Sequence, residues 1–441
     1  MDASPSFLPP SRTALLRSGA KAGAGSASAA GAGADGYSVT AVACTAAAAL
    51  AAGAAIAYGY LAKRSLRRDS PPAPENLRLH WQSILDAQEE KQRRKAAKAG
   101  AAGAAAAGPV VPGSGEVDLT DLEFRSPTLA DVDAVTAQTM ESFNSFNASV
   151  GLAPEFHPES FARMVMEGCI AGDEGLIAVR RGDGACMGAV FNDESDIEEG
   201  AVGCGPWSAR WGATQAGVGR ALVTQIVSRS VRHGASSIRL IQIAANNTSM
   251  ALYTSLGFDT REPLMAWKGA LRADFIAAEL ARGAAMGFST RPIEPRDIPA
   301  IDAIHTECNG ISRKRSLLNE VSSERTRRDT FLVVLDAKKQ IVGYTTGLSP
   351  INHSVAKSDA ALFYLLAAAH AAHAATLATN PSNPYLQRPP YQHTCVRLYP
   401  ALTRWMLDGG MRCSRQVNLM VLGAWQPIQH DRFIYCPSIN Y

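Results

Sequence analysis

The chain has no Cys-x-x-Cys pair: its eight cysteines, at positions 44, 169, 186, 204, 308, 395, 413 and 436, are scattered and never take zinc-ligand spacing. A zinc module is excluded on that ground, and a reducing compartment is the plain reading. An excess of one charge is lacking too. The 43 Lys+Arg and 40 Asp+Glu nearly cancel, and the 13 basic and 8 acidic groups of residues 1–116 leave 30 and 32 for the remainder. With no basic surplus beyond residue 116, a nucleic-acid partner is not expected. Residues 1–116 lack large side chains outside two short stretches. Ala, Gly and Ser dominate there, so the segment cannot bury enough apolar area to offset its chain entropy and reads as largely disordered. About 325 residues remain for globular structure, enough for two domains of ordinary size.

One of the two stretches is an uncharged run of 26 residues, 37–62, long enough to cross a bilayer as a helix. Lys63, Arg64, Arg67 and Arg68 follow at once and outnumber Arg12, Arg17 and Lys21 upstream, which predicts a single-pass anchor with the carboxy-terminal domains in the cytosol. Residues 1–36, containing Ser and Arg and poor in acids, also fit a transit peptide for chloroplast or mitochondrion, and a plain Ala/Gly tract is the third reading. Within 63–116, residues 75–98 read as a solvated spacer helix, with Leu77, Trp81, Ile84 and Leu85 on one face and Glu89–Arg93 and Glu90–Arg94 pairs. A flexible Ala/Gly linker follows.

From 117 onward short strands alternate with helices. Residues 176–191 read as a hairpin closed by Arg-Gly-Asp-Gly, 218–233 as a helix ended by Gly234, 237–245 as a buried strand and 249–256 as a short helix. The order then restarts. Arg125 and Asp131 recur as Arg291 and Asp297; 331–347 repeats the hairpin; 402–411 repeats the short helix, ending in Gly-Gly-Met where the first copy has Leu-Gly-Phe. An internal duplication of one α/β mixed-sheet domain, 117–270 and 289–441, is the economical account.

Gly217-Val218-Gly219 stands between a strand and a helix, where glycines let the backbone aim several N–H groups at an anion from the helix's positive end. It fits neither common phosphate signature: Leu222 replaces the third glycine of G-x-G-x-x-G, and Gly219 is followed by Arg220, not by Lys-Ser/Thr. Downstream come Asn246, Ser249, Leu252, Tyr253, Gly257 and Phe258, in the pattern N-x-x-S-x-x-L-Y-x-x-x-G-F. In this order and spacing the sequence resembles the GCN5-related N-acetyltransferase family. The resemblance implies two tandem domains of that type, the second degenerate, and acetyl-CoA as cosubstrate with no metal. It further implies that backbone N–H groups of Gln215, Ala216, Gly217, Val218, Gly219 and Arg220 hold the pyrophosphate, that Asn246 and Ser249 lie along the pantetheine arm, and that Tyr253 sits beside the thioester sulfur. The sequence departs from the family at Thr214, where Gln or Arg is usual, and at Ala209-Arg210-Trp211, where Val-Asp-Pro is usual.

That chemistry is acyl transfer: a neutral amine attacks the thioester, a strand N–H holds the oxyanion, and the departing thiolate takes a proton, a role that suits Tyr253. A carboxylate must accept the amine's proton, and Glu198 and Glu199, just before the strand at 201–207, are the nearest in sequence. The acceptor is a small-molecule or peptide amine whose identity, like the oligomeric state, the sequence leaves open. The second copy has Met406 in place of Tyr253 and no glycine in 350–358, so it is expected not to bind acetyl-CoA in the family manner but either to cover the first copy's acceptor cleft or to be a purely structural remnant. The rival reading is a non-catalytic CoA-binding interaction module. His370 and His373, at i and i+3 on an Ala-rich helix, are expected to be solvent-exposed and not metal ligands. Asn-x-Ser/Thr triplets at Asn147, Asn246, Asn247 and Asn352 would carry glycans into the cofactor motif in a lumenal compartment, which favours the cytosol or an organelle interior.

Overall fold

A computed structural model describes residues 75–101, 118–172, 174–212, 217–322, 329–382 and 384–439. The expectations for residues 1–62 and for the linker at 102–116 lie outside the described residues. Helix α1 (Glu75–Ala101) precedes the first copy, which runs β1 (Leu122–Arg125), α2 (Val132–Ser149), α3 (Glu159–Ala171), β2 (Gly175–Arg180), β3 (Cys186–Asp193), β4 (Ala201–Ala209), α4 (Val218–Arg232), β5 (Ser237–Ile243), α5 (Asn247–Ser255) and β6 (Asp259–Lys268). Helix α6 (Ala273–Ala285) connects the copies. The second copy runs β7 (Ser289–Pro292), α7 (Ile298–Asn309), α8 (Lys314–Ser322), β8 (Leu332–Leu335), β9 (Ile341–Thr345), β10 (Ser354–Ala356), α9 (Asp359–Thr379), α10 (Pro384–Gln387), β11 (Tyr391–Thr394), α11 (Pro400–Asp408), β12 (Arg412–Gly423) and β13 (Ile434–Cys436).

The sequence features that recur have matching geometry. Arg125 makes a two-pronged ion pair with Asp131 at 2.9 and 2.7 Å, and Arg291 makes the same pair with Asp297 at 2.6 and 2.8 Å. In each copy the carboxylate also accepts a backbone N–H three residues before it, from Thr128 and Glu294, at 2.8 Å. One charge-assisted fork thus locks each entry turn.

The copies are nevertheless not two separate sheets. The larger sheet has the order β1-β2-β3-β4-β5-β12-β6-β11, so β12, from the end of the second copy, lies between β5 and β6 of the first, antiparallel to both. Reciprocally, β11 of the second copy pairs with β6. Strands β6 and β12 are equivalent elements, each following the short helix with its Gly-Phe or Gly-Met end. They pair with Asp259 opposite Val421 and Lys268 opposite Arg412, a register that maps onto itself when the copies are exchanged. The larger sheet crosses the expected boundary between 270 and 289, because strands from both sides of it interleave. The second sheet, β13-β10-β9-β8-β7, belongs to the second copy alone.

On the first copy's sheet, α2 and α3 cover the face that carries Ala189, Phe191 and Ser208, while α4 covers the face that carries Val190, Val202 and Cys204. Helix α4 buries Leu222, Val223, Ile226, Val227 and Val231, the stripe of a 3.6-residue period. Helix α1 corrects the expectation of a solvated spacer. Leu77 and Trp81 are each 3% exposed, and the Trp81 indole N–H donates to Ser228 Oγ on α4 at 2.9 Å. Its apolar stripe docks onto the first copy, and only the Glu89 and Glu90 side is solvated. Helix α9 is apolar and long enough to span a bilayer, but half of its apolar window is buried inside the protein, where Leu362, Leu365 and Leu366 form part of the second copy's core. His370 and His373 on this helix are buried, against expectation. The His370 Nδ1 accepts the Leu271 N–H at 3.2 Å, and burial lowers the ring's pKa to about 3.

Candidate active site

Strands β4 and β5 pair in parallel only from Ala201–Ser237 to Cys204–Leu240. Beyond Gly205, β4 keeps its pairing with β3 through Trp207, Ser208 and Ala209 while β5 turns away. The wedge that opens widens into a cleft of about 1400 Å³, which runs from α4 and α5 on one face to the α2–α3 loop and the second copy on the other. Parallel strands that separate at their carboxyl ends leave backbone edges without strand partners, and this is where open α/β sheets place ligands.

At the cleft's α4 end, Gly217 adopts φ +90°, a conformation that costs a side-chain-bearing residue strain, and a Cβ on Gly219 would meet Ala209 and Leu252 at 3.7 and 3.8 Å. Among the described residues no side chain caps α4, no acidic residue stands in its first turn, and the first intrahelical bond from this end is Ala221 N–H to Gly217 C=O. The N–H groups of the first turn have no intrahelical partner, a donor set that suits an anion, and Gly219 of this turn lines the cleft. Of the six residues expected to hold pyrophosphate, Gly217, Val218, Gly219 and Arg220 are at this turn; Gln215 and Ala216 lie outside the described residues. The Arg220 guanidinium is engaged elsewhere, donating to Ser255 Oγ at 2.8 Å. The second copy offers no such turn. There β10 meets α9 across Lys357 and Ser358, the Ser358 hydroxyl accepts the Ala361 N–H at 3.2 Å, and Asp359 sits in the first turn.

Asn246 and Ser249 line the same cleft and brace each other: Asn246 Oδ1 caps α5 by accepting Ser249 N–H at 3.0 Å, and the Ser249 hydroxyl donates to Asn246 C=O at 3.0 Å. Behind them Gln242 donates to Asn246 C=O at 2.8 Å and accepts from Asn418 of β12 at 2.9 Å, so the exchanged strand helps to fix this loop. Tyr253 also lines the cleft, its ring edge-on to Trp207 at 5.5 Å. Burial raises its phenol well above the usual range, helped by the neighbouring Cys204, so it keeps its proton at neutral pH.

Glu198 and Glu199 are not brought to this site. They form the turn before β4, at the opposite end of a strand about 25 Å long, and Glu198 instead lies 3.5 Å from Arg315 of the second copy. Proximity in sequence misled here because a strand carries its two ends far apart. The carboxylates that line the cleft are Glu155, from the α2–α3 loop, and Glu320, from α8. Glu320 Oε2 is buried with no hydrogen-bond partner among the described residues. Burial raises its pKa to about 7, against the pull of Arg313 and with the help of Asp193 and Asp196. Sequence reasoning could not find Glu320: it lies in the other copy, 67 positions beyond Tyr253.

No family model and no curated protein matches the sequence, but solved structures match the fold. A candidate acetyltransferase from Pyrococcus horikoshii superposes with a TM-score of 0.50 at 13% identity, over 72% of this chain and 95% of that one, a span longer than either copy. A GCN5-related N-acetyltransferase from Sphaerobacter thermophilus aligns at 14% identity and TM-score 0.47, over 73% and 98%. The fold is that of the GCN5-related N-acetyltransferases. Within that acetyltransferase fold the second copy supplies Thr330, Phe331, Leu348 and Asn352 to the cleft wall, together with Arg388, Tyr391 and Arg415.

Proposed function

We propose that this chain transfers the acetyl group of acetyl-CoA to an amine in the cleft between β4 and β5. The observation that carries the reading is the coincidence in one cleft of an uncapped helix end, split parallel strands and a protonated tyrosine. Backbone N–H groups at Gly217–Arg220 would hold the pyrophosphate, and Asn246 and Ser249 would flank the pantetheine arm leading to the strand split. When the amine attacks, the new C–N bond forms and the carbonyl becomes a tetrahedral oxyanion held by a strand N–H; its collapse breaks the C–S bond, and Tyr253 gives its proton to the sulfur. The amine's proton leaves to Glu320, directly or through water; a carboxylate poised near pH 7 is half ionised where the acceptor must be deprotonated. The second copy, without an open helix end and with Met406 at the position of Tyr253, would serve as the acceptor-side wall and the source of this base.

Calorimetry with acetyl-CoA, followed by thiol release in the presence of an amine panel, tests the reading. Binding with acceptor-dependent release of CoA thiol supports transfer. Binding without turnover on any amine would instead leave a CoA-binding interaction module. No heat at millimolar acetyl-CoA would defeat both.

A further inference from the structure

At the end of the cleft away from α4, four charged side chains converge. Arg415 of β12 pairs with Glu155 at 2.5 Å, and both are largely buried. The Arg388 guanidinium lies over the Phe161 ring, 3.5 Å from its centroid, and Lys268 Nζ lies over the Tyr391 ring at 5.7 Å. The cluster thus holds three cations and one carboxylate, and that carboxylate is already taken by Arg415. Among the described residues no acid lies within ion-pair distance of Lys268 or Arg388; both are half-buried, and burial lowers the pKa of each more than the nearby Glu155 charge raises it. Cations removed from water without a counter-ion are costly, and the cost is recovered when an anion enters.

Their place in the sheet says which ligand that is. Residues 266, 268, 391, 393 and 415 share one sheet face by register, and Glu155 ties that face to the α2–α3 loop. Helix α4 and its anion-binding turn are on the opposite face of the sheet. These cations therefore serve the acceptor, not the pyrophosphate. Arg415 is two residues along β12 from Val417, which pairs with Ile243 at the end of β5, so it stands about 7 Å further along, and Lys268 is four residues, about 13 Å, beyond Leu264. An acceptor spanning from the strand split to this cluster carries its anion several bonds from the reacting nitrogen.

We infer that Arg388 and Lys268, framed by the Arg415–Glu155 pair, form a carboxylate subsite, and that the acceptor is an amine with a carboxylate several bonds away, as in a peptide amino terminus followed by an acidic residue. The inference rests on the acetyltransferase reading for the amine's fate but not for binding, and the test separates the two. Titration of the CoA-loaded protein with glycyl-glutamate and glycyl-glutamine, both amidated at the carboxyl terminus so that only the side-chain carboxylate differs, reads the subsite directly, without turnover. Glycyl-glutamate should bind at least 10-fold more tightly than the amide, and Lys268→Gln and Arg388→Gln should each remove most of that preference while leaving acetyl-CoA affinity and melting temperature unchanged. In the thiol-release assay the same variants should raise KM for the acid peptide 10-fold or more and leave kcat and the amide's kcat/KM in place. Equal binding of acid and amide, or variants that weaken both alike, would overturn the subsite. Selective binding with no thiol release would overturn the transfer reading and spare the subsite.

Discussion

Removing residues 412–441 deprives the first copy of the strand that sits in the middle of its sheet, so a fragment ending at residue 270 should not fold even though it holds the whole sequence motif. The size of the effect follows from what β12 buries. Val417, Leu419, Met420, Val421 and Leu422 are each at most 2% exposed. At about 1.5–3 kcal/mol for each fully buried apolar side chain, their loss removes roughly 7–15 kcal/mol. The whole stability of a domain is about 5–15 kcal/mol. The loss also unpairs seven residues of β5 and nine of β6, whose inner edges would be left to solvent or to other chains. Circular dichroism melts of fragments 75–270 and 75–441 give the comparison. The longer chain should unfold in one transition shared by both copies, while the shorter should show no cooperative transition and should aggregate. A 75–270 fragment with a sharp melt within 10 °C of the longer chain would refute the reasoning.

Tyr253→Phe should lower kcat by about 10²–10⁴-fold, leaving acetyl-CoA affinity and melting temperature near those of the parent; an unchanged kcat would end the acid assignment. For Glu320, whose folded pKa lies above its unfolded value, burial favours the protonated form, so its contribution to stability is present at low pH and is lost as pH rises from about 4 toward 7. Glu320→Gln should therefore raise the melting temperature at pH 8 but not at pH 4, and abolish the fall of kcat/KM below pH 7; a parental low-pH limb would exclude it as the base. Gly217→Ala, at φ +90°, should cost about 1 kcal/mol of stability and weaken acetyl-CoA binding more than acceptor binding, as read by calorimetry. Trp81→Ala should destabilise the chain by about 3–5 kcal/mol if α1 is docked as described; a change below 0.5 kcal/mol in a urea melt would return α1 to the role of a solvated spacer.

Much of the local structure was legible because its signals are local. The periodicity of α4, the hairpin β2–β3 and the repeated Arg–Asp fork lie within short windows whose meaning does not depend on distant chain. Tyr253, Asn246 and Ser249 were legible through spacing, and the structure brings them into one cleft with Gly219. What failed was everything decided by pairing across the copies. Nothing in Arg412–Gly423 says that its neighbours are Ile243 and Met265, because strand periodicity gives the face but not the partner. For the same reason a base from α8 and cations from β6, β11's approach and β12 could not be assembled from sequence, and Glu198 and Glu199 were chosen by closeness along the chain. The buried histidines of α9 were misjudged because an alanine-rich helix gives no amphipathic contrast to mark its inner face.

The register between β6 and β12 has a consequence for how this chain can change. Selection can erase the chemistry of the carboxy-terminal copy one residue at a time, since a filled helix end or a methionine for a tyrosine leaves the sheet untouched. It cannot discard the copy, because a single stop codon before Arg412 opens the larger sheet between β5 and β6. The carboxy-terminal half is therefore held to its strand whatever chemistry it carries, and its retention needs no activity of its own to explain it.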